Sequence, residues 1–227
     1  HFRLSCLGEY IQNLELRFGF LHRGLEKNIL ELPWQKMRFA AEAASSDTAC
    51  ANALAHSLAI ESLLQIEISK QDSLCRIAAL ELERAAMHIF DLGGMALDLG
   101  CQGVAATLSR LRGTALGVAE QLTGSRFIRG YIKVGGVRKR SKPDFEALRK
   151  SIESLDAECN YIINWFLENA QVVERLNQVG KVSHNLALDF GFVGVVARAS
   201  GIASDVRKEF ANPSFPGDVH KIALEST

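Results

Sequence analysis

The chain has 227 residues, 48% of them hydrophobic and 23% charged, the composition of a folded globular protein and not of a disordered one. Its 26 Lys and Arg balance its 26 Asp and Glu, so overall charge gives no support for a nucleic-acid or acidic-lipid partner. The five cysteines (Cys6, Cys50, Cys75, Cys101 and Cys159) are widely spaced and form no CxxC pair; this argues against a disulfide framework or a zinc or iron–sulfur site built here alone, and reads them as buried apolar thiols.

Taken in chain order, residues 1–19 predict a β-hairpin that packs on the main domain. His1–Leu7 meets Gly8-Glu9, and Tyr10–Phe18 follows, with Leu14, Leu16 and Phe18 on one face and Glu15 and Arg17 on the other. Residues 20–227 form the helical core domain. Phe20–Leu32 predicts a short helix closed before Pro33. Thr48–Ile66 predicts a second, with Asp47 as N-cap and Leu54, Leu58 and Glu61 at helical spacing. Ser69, with Asp72 three residues on, opens a longer helix that runs through Leu92, is kinked or interrupted by Gly93-Gly94, and ends before Gly100. Val104–Leu122 predicts another, stopped by Gly124.

Ser125–Arg140 changes character. Arg126, Arg129, Lys133, Arg138, Lys139 and Arg140 interleave with apolar residues around Gly135-Gly136, as in a basic loop about one short extended segment. It reads either as a solvated connection or as a docking surface for an acidic partner; too few aromatic residues accompany the charges for a nucleic-acid stacking platform. Ser141 and Asp144, with Pro143 in the first turn, open the most regular helix. Phe145, Leu148, Ile152, Leu155, Cys159, Ile162, Phe166, Ala170 and Val173 carry an apolar stripe over about 30 residues, roughly 45 Å. Val182–Phe190 is a short helix, and Gly191, Gly194, Gly201, Pro213 and Pro216 break up the rest. No run approaches 18 uninterrupted apolar residues, and the chain opens at His1 without a signal core. It reads as a fragment of a longer subunit.

Polar residues in apolar company mark candidate sites. Glu81, Arg84, His88 and Asp91 fall at spacings of three, four and three, so they share one helix face. That narrow stripe reads as a solvated face with i,i+4 pairing, a buried network whose charges must be paired, or a pocket or proton relay in which the histidine changes charge near neutral pH. A second group is His22, Arg23, Gly24, Glu26 and Lys27; a third is Arg198, Ser200, Asp205 and Arg207, whose arginines could hold carboxylates bidentately and tie the tail to the stripe. Asp47, Cys50 and His56 do not make a convincing metal set, and no GxSxG, Walker, HExxH or Rossmann motif is present.

Four stretches then carry a resemblance in order along the chain: His1-Phe2-Arg3-Leu4 with Gly8-Glu9; Gly19 to Lys27 around His22-Arg23-Gly24; Glu81-Leu82-Glu83-Arg84 with His88; and Arg198 to Ile202 with Asp205-Val206-Arg207. Gly135-Gly136-Val137 and Gly217-Asp218-Val219 add to it. The chain resembles the large subunit of membrane-bound nickel–iron hydrogenases and its relative, the 49-kDa component of respiratory NADH–quinone oxidoreductase. That resemblance implies a mainly α fold, a helical bundle core with a small N-terminal antiparallel β element. It implies an iron–sulfur, small-subunit-like protein as partner, within a membrane-bound redox complex held peripherally on the cytoplasmic face. Arg23 would lie near the partner's terminal cluster, and His88 would couple protonation to it; Arg84 is a further cluster-facing or proton-coupling candidate. From the residue pattern itself, His22, Glu26, Glu81, Asp91, Asp98, Arg198, Asp205 and Arg207 are candidates for a polar network or pocket. No cofactor is expected on this chain itself; quinone is a candidate ligand and NAD belongs to the whole complex.

The chain departs from the hydrogenase pattern where the metal should be. With His56 on the family histidine, Thr48 and Ala51 stand where a CxxC pair is required, and Cys50 is out of register. Half a thiolate set cannot hold a low-spin nickel–iron centre. Tyr131 and Tyr161 also fall outside the register of the family's quinone-site tyrosine. Three functions follow as expectations: a redox-complex subunit that tunes a neighbour's cluster, a metal-less scaffold or assembly paralogue, and a soluble enzyme reusing a vacant pocket lined by Arg84, His88 and Asp98.

Overall fold

The computed structural model describes residues 1–138 and 144–206. The chain is mainly helical with a small N-terminal β-hairpin, as the sequence implies. Strands β1 (Phe2–Leu7) and β2 (Tyr10–Leu16) pair antiparallel from Phe2↔Leu16 to Leu7↔Tyr10, with a register shift between Ser5 and Cys6. Both faces of this hairpin stand in the open: Phe2, Leu7 and Tyr10 are exposed and enter neither apolar cluster.

Helix α1 (Leu25–Glu31) starts five residues later than the periodicity suggests. Gly19–His22 closes a turn, and Gly24 takes the left-handed φ of 60° just before the helix, a conformation that costs a residue with a Cβ 1–2 kcal/mol, roughly. Helix α2 (Trp34–Glu42) is unexpected from sequence. Pro33 reads as a stop, yet it stands at the entry to α2, where its missing N–H leaves no intrahelical bond unmade. Helix α3 (Ala49–Leu64) begins after Thr48, not Asp47, and neither side chain caps it.

Helix α4 (Lys70–Asp98) opens as its sequence specifies, the Asp72 N–H donating to Ser69 Oγ at 3.1 Å. It runs unbroken through Gly93-Gly94, correcting the expected interruption. A Cβ on Gly93 would sit 3.4 Å from Leu108 Cβ, so this glycine serves the close approach of α5 (Gln102–Thr123) and not a break. Helix α5 ends at Gly124, which takes a left-handed φ of 79°. Between α5 and the next helix, β3 (Ile132–Lys133) and β4 (Gly136–Val137) form a second small hairpin, where a single extended segment was anticipated.

Asp144 itself caps α6 (Phe145–Leu167) by accepting from the Glu146 and Ala147 N–H groups, so it stands at the helix entry and not, as the capping-box reading with Ser141 has it, inside the first turn. Ser141 and Pro143, the other parts of the expected start, lie outside the described residues. The apolar stripe continues past Leu167, but the helix does not: Asn169 accepts from the Gln171 N–H and starts α7 (Ala170–Leu176). Helices α8 (His184–Asp189) and α9 (Gly194–Ala199) follow, so Gly194 opens a helix in a stretch that looks broken in sequence.

Two apolar clusters hold these elements. One joins α4, α5, α6 and α7 through Ile89, Leu108, Leu111, Leu155, Phe166 and Val172. The other joins α3, the first half of α4 and the β3–β4 hairpin through Leu54, Leu80, Ile128, Tyr131, Ile132 and Val137. Leu108, Leu111 and Phe166 are fully buried, each stabilising by roughly 2–3 kcal/mol. The exposed Arg110–Glu158 pair between α5 and α6 contributes at most about 1 kcal/mol, so apolar burial decides that packing. Among the described residues no helix is long and apolar enough to cross a membrane.

Candidate functional site

Helix α4 organises the polar chemistry of the molecule, and it does so on two faces. The inner face carries Ser73, Arg76, Ala79, Leu80, Glu83, Ala86 and Ile89, all buried. Arg76 is 2% exposed and meets the Glu61 carboxylate of α3 in a two-pronged pair, Nη1–Oε2 2.9 Å and Nη2–Oε1 2.5 Å. The same guanidinium donates to the carbonyls of Lys133 (2.7 Å) and Gly136 (3.1–3.2 Å), and Glu61 accepts from the Gly135 N–H at 2.7 Å. One buried ion pair thus clamps the β3–β4 turn from both sides. Gly136 is required there, because a Cβ on it would lie 2.5 Å from the Asp72 carboxylate and its φ is 137°.

Two helical turns on, Glu83 reaches across to the start of α3. Its carboxylate accepts from the Cys50 N–H at 2.7 Å and the Ala51 N–H at 2.9 Å, doing from α4 what neither Asp47 nor Thr48 does locally. Burial raises the Glu83 carboxyl above its ordinary range, against the lowering effect of those two N–H groups. Glu42 of α2 is raised for the same first reason while it accepts from the Gly130 N–H at 2.9 Å. Between them sits Cys50, 1% exposed, whose thiol burial pushes well up, with Glu83 and Glu42 adding to the effect. A narrow crevice of about 10 Å³ lies beside Glu83 and is lined by Asp47, Met87, Arg126 and Phe127 among others.

The outer face of α4 carries the residues singled out in sequence. Arg84 pairs with Glu81 at 3.1 Å, both half-exposed. His88, Asp91 and Asp98 are exposed. The stripe therefore faces solvent in this chain. Arg23 donates to the Ala44 carbonyl at 2.9 Å, tying the segment before α1 to the end of α2; His22 and Glu26 are exposed beside it. Arg198 is half-buried and reaches the Ser204 carbonyl at 3.5 Å, while Asp205 is half-buried. Arg207 lies outside the described residues.

Sequence reasoning missed Arg76, Glu83 and Glu42. Two signals were available: Arg76 and Glu83 are seven apart on an apolar face of α4, and Glu61 interrupts the leucine stripe of α3. Tertiary structure also bears on the metal question. Thr48 and Ala51 supply no thiolate, Cys50 is a buried neutral thiol beside two carboxylates, and among the described residues no three His, Cys, Asp or Glu side chains group as a metal site. These residues do not fit a nickel–iron centre.

The model of the family described as the respiratory-chain NADH dehydrogenase 49 Kd subunit matches residues 98–215, just over half of the chain. The NADH-quinone oxidoreductase D subunit of Helicobacter pylori strain HPAG1 is 31% identical over 208 residues, covering 91% of this chain and 51% of that protein. The protein of the same name from Campylobacter concisus strain 13826 is 34% identical over 208 residues, with the same shares of each chain. A relative from Sorangium cellulosum strain So ce56, also an NADH-quinone oxidoreductase D subunit, is 30% identical over 211 residues, covering 92% and 52%. The chain thus spans about half the length of the curated relatives it matches.

Proposed function

The chain belongs to the family of the respiratory-chain NADH dehydrogenase 49 Kd subunit, and from that premise we propose that it sets the electrostatic surroundings of an iron–sulfur cluster held by a partner subunit, within an NADH–quinone oxidoreductase-like complex that passes electrons toward quinone. It does so without a nickel–iron centre of its own. The observation that supports this best is the division of α4: the inner face is locked by Arg76 and Glu83, while Arg84 and His88 stand accessible on the outer face of the same rigid helix. A cation fixed beside a cluster favours the reduced, more negative state and raises its potential. An imidazole that changes charge near neutral pH makes that potential depend on pH. Arg23, held by the Ala44 carbonyl, is the second candidate cation.

In this reading His22, Glu26, Glu81, Asp91 and Asp98 form the polar rim around those groups, with Arg198, Asp205 and Arg207 supporting it from the tail. NAD and quinone are bound at the level of the complex, which holds this subunit on the cytoplasmic face of the membrane. The test is co-purification with the iron–sulfur subunit followed by redox titration of its cluster by electron paramagnetic resonance across pH 6 to 8. Arg84→Gln is expected to lower the midpoint potential by tens of millivolts, and His88→Gln to flatten its pH dependence. A chain that binds no iron–sulfur partner, or a cluster indifferent to both substitutions, refutes the proposal.

A further inference from the structure

Residues 126–138 hold four cations (Arg126, Arg129, Lys133 and Arg138) and not one carboxylate, in a chain whose overall charge is zero. All four side chains are exposed. Among the described residues none of them is in an ion pair. Glu42, the carboxylate that feels Arg129, also feels Arg38 of α2, which brings a fifth cation to the same surface, and its own oxygen is already committed to the Gly130 N–H.

The backbone beneath these charges is unusually constrained. Ile128, Tyr131, Ile132, Gly136 and Val137 are buried. Glu42 holds Gly130, Glu61 holds Gly135, and Arg76 holds the carbonyls of Lys133 and Gly136. Ile128 sits at a φ of 57°, a strained position for a β-branched residue that persists only where its surroundings over-determine it. A solvated connection has no need of such anchoring. Side chains projected from a fixed backbone lose less freedom on binding than those of a mobile loop.

We propose that the segment from Arg126 to Arg138, with Arg38 beside it, is a preorganised docking surface for an acidic segment of a partner protein, whose carboxylates the arginine guanidinium groups receive in two-pronged fashion. Charge complementarity selects an anionic partner. The choice of protein over nucleic acid rests on the aromatic residues: Tyr131 is buried, leaving only Phe127 exposed in the segment, too little for base stacking. This surface is distinct from the outer face of α4, and it stands whether or not that face meets a cluster.

The test is fluorescence anisotropy of the full chain with a labelled oligoglutamate peptide, run beside a labelled oligothymidylate and phosphatidylglycerol vesicles. The peptide is expected to bind in a salt-dependent way, and Lys133→Glu/Arg138→Glu to weaken it about tenfold or more. Lys150→Glu/Lys181→Glu, the same charge change at two exposed lysines elsewhere, should leave affinity within about twofold. A thermal melt shows that the variants fold; should the charge reversal not fold, Lys133→Gln/Arg138→Gln replaces it, with an expected loss of about threefold or more. Unchanged binding by the hairpin variant, an equal loss in the lysine control, or tighter binding of the oligothymidylate or the vesicles than of the peptide overturns the proposal.

Discussion

Replacing Arg76 by methionine removes one half of the buried pair while keeping most of the side-chain volume. Glu61, 6% exposed, is then left as a buried carboxylate whose remaining partner is the Gly135 N–H. The carbonyls of Lys133 and Gly136 lose their donor at the same time. Stranding one member of a buried pair costs about 3–5 kcal/mol, and each orphaned carbonyl adds roughly 1 kcal/mol unless water reaches it. At roughly 2–4 °C per kcal/mol for a chain of this size, the melting temperature should fall by about 10 °C or more. The assay is thermal and urea unfolding followed by circular dichroism, in a cycle with Glu61→Leu and the double variant. Because each single substitution already forfeits the pair, the double variant should lose less than the two singles added together. A single variant that melts within about 2 °C of the parent, or strictly additive losses, would refute the view that this pair clamps the β3–β4 turn.

Two further outcomes follow from the same core. Burial raises the carboxyls of Glu42 and Glu83 above the ordinary value of 4.5, so the folded chain holds protons there that the unfolded chain has released. Their contribution is greatest below that value and is lost as pH rises through the raised folded-state pKa values; urea midpoints between pH 4.5 and 7 should fall with pH more steeply for the parent than for Glu42→Gln/Glu83→Gln. Cys50 is buried and its thiol pushed up, whereas Cys6 is exposed on β1. Iodoacetamide on the native chain should therefore label Cys6 and spare Cys50, with mass spectrometry as readout, and rapid labelling of Cys50 would mean that the start of α3 opens.

Much of the fold was legible because its signals are local. Ser69 with Asp72, and Gly124, each mark a helix end through a hydrogen bond or a φ value that the residue type itself favours; Asp144 marks one too, but as the cap itself and not as the partner of Ser141. Helix α2 was missed because Pro33 suits the end of one helix and the entry to the next equally well, and local chemistry does not choose. The Gly93-Gly94 pair is ambiguous in sequence because glycine permits both a break and a close approach, and only the position of Leu108 decides between them.

The candidate site divides along the same line. Sequence alone determined that Glu81, Arg84, His88 and Asp91 share a face of α4, because 3.6 residues per turn makes it so. It determined as well that Thr48 and Ala51 leave no cysteine pair, since a residue type needs no coordinates. It did not determine which polar face of α4 turns inward. That depends on where α3 and the β3–β4 hairpin come to rest, and they come to rest against Arg76 and Glu83 because Glu61, the turn carbonyls and the free N–H groups of α3 lie there to satisfy them. Periodicity fixes which side chains travel together; only the packed neighbours decide which of them lose their water.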